Sequence, residues 1–210
     1  MPPKAAGPRR RPSQERAKAT REHILDTAAR LFGERGIAAT STNRIATEAG
    51  LSIGTVYRYF SDRSVMVEEL LQRLLETIER RFTQRLSTLP HTALEALISD
   101  ILHTVTDELV ANAGLVRALV GGVQFYSSGL PEFEPRLRLL VKVMLIQGLG
   151  PGDDHRYDVM AFVFLNTGFA AVLRASAEGI TDEDRREAIE MTARMIGSWL
   201  DAEAGAPAGS

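Results

Sequence analysis

The chain has 210 residues and no cysteine, which allows one large or two small domains with a real core and excludes disulfides and thiolate metal sites. Its net charge of −2 hides an asymmetry: residues 1–63 hold 12 Lys+Arg against 6 Asp+Glu, while residues 64–210 hold 13 against 21. No apolar run approaches the ~20 residues that span a bilayer, and the basic, Pro-rich N-terminus lacks the apolar stretch of a secretory signal, so a cytoplasmic protein with no membrane partner is expected.

Residues 1–12 combine Pro, Ala, Gly and Arg without apolar periodicity and read as a disordered basic arm. A first helix starts near Ser13, repeats Ile24, Thr27, Ala28, Leu31 and Phe32 at helical spacing, and ends at Gly36. Ser41 or Thr42 caps a second, whose apolar face is Ile45, Ala46 and Ala49. Gly50 stops it, because Gly takes left-handed backbone without steric cost, and Leu51 packs back onto it. Ser52 caps a third helix with Val56 and Phe60 on its buried face. Ser61 caps a fourth, with a long stripe from Val67 through Leu71, Leu75, Ile78 and Phe82 to Leu86, broken at Leu89-Pro90.

Beyond Pro90 the pattern stays helical, over about 92–112, 115–127, 131–147 and 154–178, the last of these capped by Asp153 or Asp154. Thr181 caps a final helix with Asp182, Glu183 and Asp184 in its first turn, where acidic groups suit the helix dipole. No repeat and no alternating strand pattern is present. The expected fold is all-α with about nine helices: an arm (1–12), a three-helix DNA-binding domain with a helix-turn-helix (13–63), a helical ligand-binding and dimerisation domain (64–203) and a tail (204–210).

Residues 41–63 carry the function most directly. One buried stripe leaves Ile53, Gly54, Thr55, Tyr57, Arg58 and Tyr59 facing outward on a helix sized for a DNA major groove. The basic head on an acidic body is the charge pattern of a phosphate-binding module joined to a domain that does not bind nucleic acid. Thr55 and Arg58 are candidate base readers, since an arginine fork matches guanine O6 and N7. Gly54 lets the backbone approach the duplex, and Ile53 suits a thymine methyl. Thr42, Arg44, Ser52 and Arg63 lie at or beside helix starts, where free N–H groups hold phosphate. The arm cations Lys4, Arg9, Arg10 and Arg11, with Arg16, Lys18 and Arg21 behind them, are either minor-groove or backbone contacts or a solubilising tail.

This stretch resembles the DNA-binding domain of the tetracycline-repressor-like (TetR/AcrR) regulators. The likeness runs from about Thr20 to Leu71, through Ile24–Gly36, the Ile45–Ser52 turn and the Gly54–Phe60 run. It implies a homodimeric, ligand-responsive regulator, with a repressor on a palindromic operator released by a small apolar effector as the leading form. It also implies phosphate contacts from Tyr57 and Tyr59 and dimerisation through the last two helices. Family members usually have lysine where this chain has Arg63, so that contact changes geometry. The same head serves an activator or a protein-responsive regulator, and a ligand-binding module with a vestigial head is a rival from another class; DNA binding without ligand discriminates that case.

The body speaks less distinctly. Polar residues scattered on apolar helices, His103, Asp107, Arg117, Gln124, Tyr126 and Asn166, together with Phe162, fit either a mostly apolar ligand pocket or ordinary satisfied core groups. Sparse aromatics favour an aliphatic, acyl or steroid-like ligand over a flat cationic dye. Small Gly168, Ala171 and Ala175 and the seam Ile189, Ile196, Trp199 and Leu200 fit a subunit interface or intrachain packing. Enzyme readings fail. His103 and Asp107 share a helix face without a third metal ligand, and Gly148–Gly152 lacks the strand and Lys-Ser/Thr of a phosphate loop. No nucleophile has an identifiable base, and no cofactor is expected.

Overall fold

The computed structural model describes residues 11–88, 94–120 and 130–205, and all of its regular structure is helical. Contacts divide the chain into two compact units, Met1–Leu70 and Leu71–Ser210.

The first unit is built by local signals. Helix α1 (Arg11–Arg35) starts two positions before the expected Ser13, α2 spans Thr42–Glu48 and α3 spans Ile53–Tyr59. Ser41 caps α2 by accepting from the Arg44 N–H, and Ser52 caps α3 by accepting from the Thr55 N–H. Between them Leu51 N–H donates to Ala46 O at 2.9 Å and Gly50 N–H to Thr47 O at 3.1 Å. This paired closure of a helix end needs left-handed backbone at Gly50, whose φ is +67°. α4 (Arg63–Thr88) is capped by Asp62 rather than by the expected Ser61: Asp62 Oδ1 accepts from Ser64 N–H at 2.7 Å and Val65 N–H at 3.2 Å. A carboxylate is the stronger acceptor at a helix N-terminus, and those donors hold Asp62 below the usual carboxylate range, Val65 N–H foremost, then Ser64 N–H and the Ser61 hydroxyl.

Ile24, Leu31, Phe32, Ile45, Val56, Phe60 and Met66 are buried together, each worth roughly 1.5–3 kcal/mol of apolar burial. The first turns of α4 belong to this unit, so its boundary falls at Leu70 and not at the expected 63. Their attachment is visible in the Arg21–Glu69 ion pair and in Arg21 lying 4.9 Å over the Phe60 ring.

In the second unit α5 (Leu94–Ala111) is central, touching α6 (Ala113–Val120), α8 (Asp154–Ala175) and α9 (Asp182–Gly205), while α7 (Leu130–Leu149) packs on α8. Arg81–Glu108 at 2.7 Å and Arg85–Asp100 at 3.2 Å tie the C-terminal half of α4 to α5. Asp153 caps α8 and Thr181 caps α9, as expected. The glycine-rich run before α8 is a tight loop: Tyr157 hydroxyl donates to Gly150 O at 2.7 Å, and a Cβ on Gly152 would meet that hydroxyl at 2.8 Å. α8 is long and apolar enough to cross a bilayer by length and composition alone. Its Tyr157, Met160, Ala161, Phe164, Gly168, Val172 and Ala175 are nevertheless buried in this unit, and its first turns carry Asp154, Arg156 and Asp158. The second half of the expected 115–127 helix lies outside the described residues.

Candidate functional site

In the first unit the reading helix is held from below and left bare above. Val56 and Phe60 are buried, whereas Gly54, Tyr57 and Arg58 are exposed and Ile53 lies at the margin of exposure. Tyr57 is 53% exposed. Arg58 lies 5.4 Å over the ring of half-buried Tyr59, which restricts its path outward. A Cβ on Gly54 would meet nothing nearer than Ser52 Oγ at 4.0 Å, so nothing within the chain requires glycine there. Thr55 is half-buried and its hydroxyl shares a 2.8 Å hydrogen bond with Ser52 Oγ, so capping already engages both oxygens.

Two of the expected phosphate ligands are otherwise engaged. Arg63 donates through Nη1 to the carbonyl oxygens of Ile37, Ala38 and Thr40 at 2.8–3.1 Å. It closes the turn after α1, because that turn's carbonyls have no helical partners. Arg44 is exposed but pairs with Glu48 at 3.5 Å, and Glu48 also takes Arg30 at 3.4 Å. Arg30 stays above the usual guanidinium range through Glu34 first and Glu48 second. Half-buried Thr42 begins α2. Among the basic group, Arg21 is spent on Glu69 and Phe60. Arg16 and Lys18 are exposed on α1, and Arg11 starts that helix. Lys4, Arg9 and Arg10 lie outside the described residues.

The second unit holds a cavity of about 330 Å³ lined by α4, α5, α7 and α8. Leu75, Ile78 and Phe82 come from α4, Ile101, Leu102 and Val105 from α5, Leu137 and Val141 from α7, and Phe164 and Phe169 from α8. Among the described residues its polar lining is Glu134 and Asn166. Of the expected pocket residues that the structure describes, only Asn166 lines it. Phe162 is 49% exposed, with the Arg138 guanidinium 5.7 Å over its outer face. His103 is half-buried and Asp107 exposed, neither lining the cavity, and Arg117 pairs with Glu178. Gln124 and Tyr126 lie outside the described residues. The polar residues stand out on apolar helices, but the lining is the ordinary stripe of several helices, and no local signal separates it from core.

The expected dimer seam needs correction. Ile189, Ile196 and Leu200 are fully buried inside this unit, and Gly168 and Ala175 are buried on α8. They are consumed by contacts of α8 and α9 with each other and with α5; a Cβ on Gly168 would already lie 3.2 Å from Leu102 Cδ2. Ala171 and Trp199 are half-buried. Among the described residues, apolar side chains left outward on these helices include Val159, Phe162 and Val163 on α8, Met191 and Met195 on α9, and Leu139, Val143 and Ile146 on α7.

Residues 24–70 match the family model described as bacterial regulatory proteins, tetR family. The nucleoid occlusion factor SlmA of Pasteurella multocida is 30% identical over 165 residues, 74% of this chain and 82% of SlmA. The HTH-type transcriptional regulator AcrR of Shigella flexneri is 33% identical over 102 residues, 47% of either chain. Among solved structures, a tetR-family transcriptional regulator from Streptomyces coelicolor superposes with a TM-score of 0.70 at 20% identity, covering 89% of this chain and 82% of that one. A second regulator described as TetR-family, from Syntrophomonas wolfei, gives a TM-score of 0.70 at 20% identity, covering 88% and 96%.

Proposed function

The chain belongs to the tetR family of bacterial regulatory proteins, and from that premise we propose that it is a homodimeric repressor which binds a palindromic operator and is released by a small, mostly apolar molecule. The observation that carries the reading is the pairing of an outward reading face, Gly54, Tyr57 and Arg58, with an apolar cavity in the other unit. The first is turned outward by the buried stripe of α3, and the second is a mostly apolar space of the kind that takes a small molecule. α4 contributes residues to both units, so a ligand that favours one placement of α4 biases the head. That bias extends only as far as the ligand's differential affinity for the two states.

Dimerisation rests on the exposed Val159, Phe162, Val163, Met191 and Met195, apolar side chains of the kind that a two-fold interface covers. A palindrome from the promoter of its own gene or a neighbour should be bound at physiological salt as a dimer and released by ligand. Absence of binding to every such palindrome would sink the repressor reading. Phe162→Glu with Met195→Glu should produce a monomer in sedimentation and weaken operator binding; an unchanged dimer would remove this face from the interface.

A second reading has one observation in its favour. SlmA carries the name of a nucleoid occlusion factor and matches across both units, so a DNA-bound regulator that answers to a protein partner is the alternative. Under that reading operator binding is indifferent to small apolar molecules.

A further inference from the structure

We infer that Glu48 is a positioning residue for DNA binding: it draws Arg44 away from the phosphate backbone and so keeps affinity low for DNA of any sequence. This rests on the first unit being the DNA-binding head, and it gives a role there to an acidic group. Glu48 stands between two arginines. Its Oε1 lies 3.5 Å from Arg44 Nη2, and its Oε2 accepts from Arg30 Nη2 at 3.4 Å. Arg30 reaches onward to Glu34 at 3.1 Å. Among the described residues, Glu48 is the carboxylate that pairs with Arg44.

These charges are poorly placed for stabilising α2. Arg44 is the third residue of that helix and Glu48 the last. Acidic groups suit the start of a helix and basic ones its end, and an i, i+4 pair is weaker when the base comes first. The four side chains are all 36% exposed or more, so such pairs contribute little to stability. Their effect falls instead on where the Arg44 guanidinium lies. Helical side chains lean toward the N-terminus of their own helix, whereas Glu48 holds Arg44 toward the following turn. In a helix-turn-helix the first of the two helices crosses the DNA backbone. Phosphate and Glu48 therefore compete for one guanidinium, whose fork fits either anion.

Arg30 makes the exchange feasible. When Arg44 turns to a phosphate, Glu48 keeps Arg30, and no carboxylate is left bare. Arg30 is then shared by Glu34 and Glu48, two acids on one cation. That surplus negative charge beside the duplex opposes the release of Arg44. Each phosphate contact displaces about one counterion, whatever the base sequence. Holding Arg44 back thus removes roughly one such contact from binding to every duplex alike, and leaves discrimination to the base readers.

The test measures binding of the full chain to a random-sequence duplex by fluorescence anisotropy, at two salt concentrations. Glu48→Gln should bind roughly ten-fold more tightly than wild type at about 50 mM salt and about three-fold more tightly at about 200 mM, the steepening that one added phosphate contact gives. Arg44→Ala should change wild-type binding little, yet abolish most of the gain from Glu48→Gln. Glu34→Gln removes the same charge without touching Arg44 and should give a distinctly smaller gain. Melting temperatures should stay at the wild-type value throughout, since these side chains are exposed. A gain that survives Arg44→Ala, or that Glu34→Gln matches, overturns the inference, because charge removal alone would then account for it. So does Arg44→Ala flattening the wild-type salt dependence by about one counterion, which would mean that Arg44 already holds phosphate beside Glu48. A wild type that binds no duplex at low salt would sink the DNA-binding head itself, and this inference with it.

Discussion

The two units prepare for a partner in opposite ways. In the first, a short helix is anchored by Val56 and Phe60 and presents residues that nothing in the chain covers. In the second, helices pack around a space that their side chains do not fill. One is a convex face made from seven consecutive residues; the other is a concave one assembled from residues between Leu75 and Val172. Two glycines show the contrast at single positions. A side chain on Gly54 would meet open space, whereas one on Gly168 would press on Leu102 at 3.2 Å. Nothing inside the chain calls for glycine at 54, whereas a side chain at 168 would need Leu102 to give way.

The sharpest way to break this contrast is to truncate one phenylalanine in each unit. Phe60 is packed on all sides, so Phe60→Ala should cost about 3–5 kcal/mol in denaturant unfolding and abolish DNA binding with it. Phe82 already faces the cavity, has fewer neighbours to lose, and should cost distinctly less. Equal losses would mean that the cavity is not a real void. Next in size, Arg58→Ala should remove roughly 1–3 kcal/mol of discrimination between the operator and a single-base variant, without shifting the melting temperature. Deleting residues 1–10 should instead weaken binding to all DNA and flatten its salt dependence. Equal loss of specificity from both changes would contradict the division of labour within the head.

Gly54→Ala is a finer test, because stability and function should move apart. Gly54 is the second residue of α3, so the helix gains less than the ~1 kcal/mol of an interior Gly→Ala change, and no neighbour resists the methyl group. Operator affinity should fall all the same, as the backbone loses its close approach to the duplex. If affinity is untouched while the melting temperature rises, Gly54 does not face DNA.

The contrast also decides what could be read in advance. Caps at Ser41, Ser52, Asp153 and Thr181 and the stop at Gly50 are legible because each acts within a few residues of itself. The same locality makes the outward face of α3 readable. Arg63 is a different matter: its guanidinium bonds carbonyls 23 to 26 positions earlier, and nothing at residue 63 announces them. Ile189, Ile196 and Leu200 form a genuine stripe, but periodicity gives the stripe and not its partner, which is the body's own interior. The cavity is hidden for the same reason. Phe82, Leu102 and Phe164 look like core, and only their joint failure to fill a volume marks a site.

The smallest expected effects are electrostatic, and they separate the units by the pH edge at which each weakens. Asp62 is depressed below the usual carboxylate range by the α4 N–H groups. Its contribution is complete above its unfolded value and is lost as pH falls through the folded one. The stability gap between wild type and Asp62→Asn should therefore close below about pH 4 and stay constant above it. In the body, Lys142 bridges Asp154 at 2.7 Å and Asp158 at 2.8 Å, and those carboxylates, Asp154 first, raise its ammonium above the ordinary range. A raised lysine stabilises fully below its unfolded value and ceases to do so as pH rises through the folded one. The gap between wild type and Lys142→Met, followed by Trp199 fluorescence during denaturation, should thus shrink above about pH 10.5. Lys142 also depresses Asp158, so the same gap should shrink again in acid. A double-edged profile for Lys142→Met beside a single acid edge for Asp62→Asn is the expected signature. An alkaline edge at Asp62 would mean that its charge is held by a cation rather than by the start of α4.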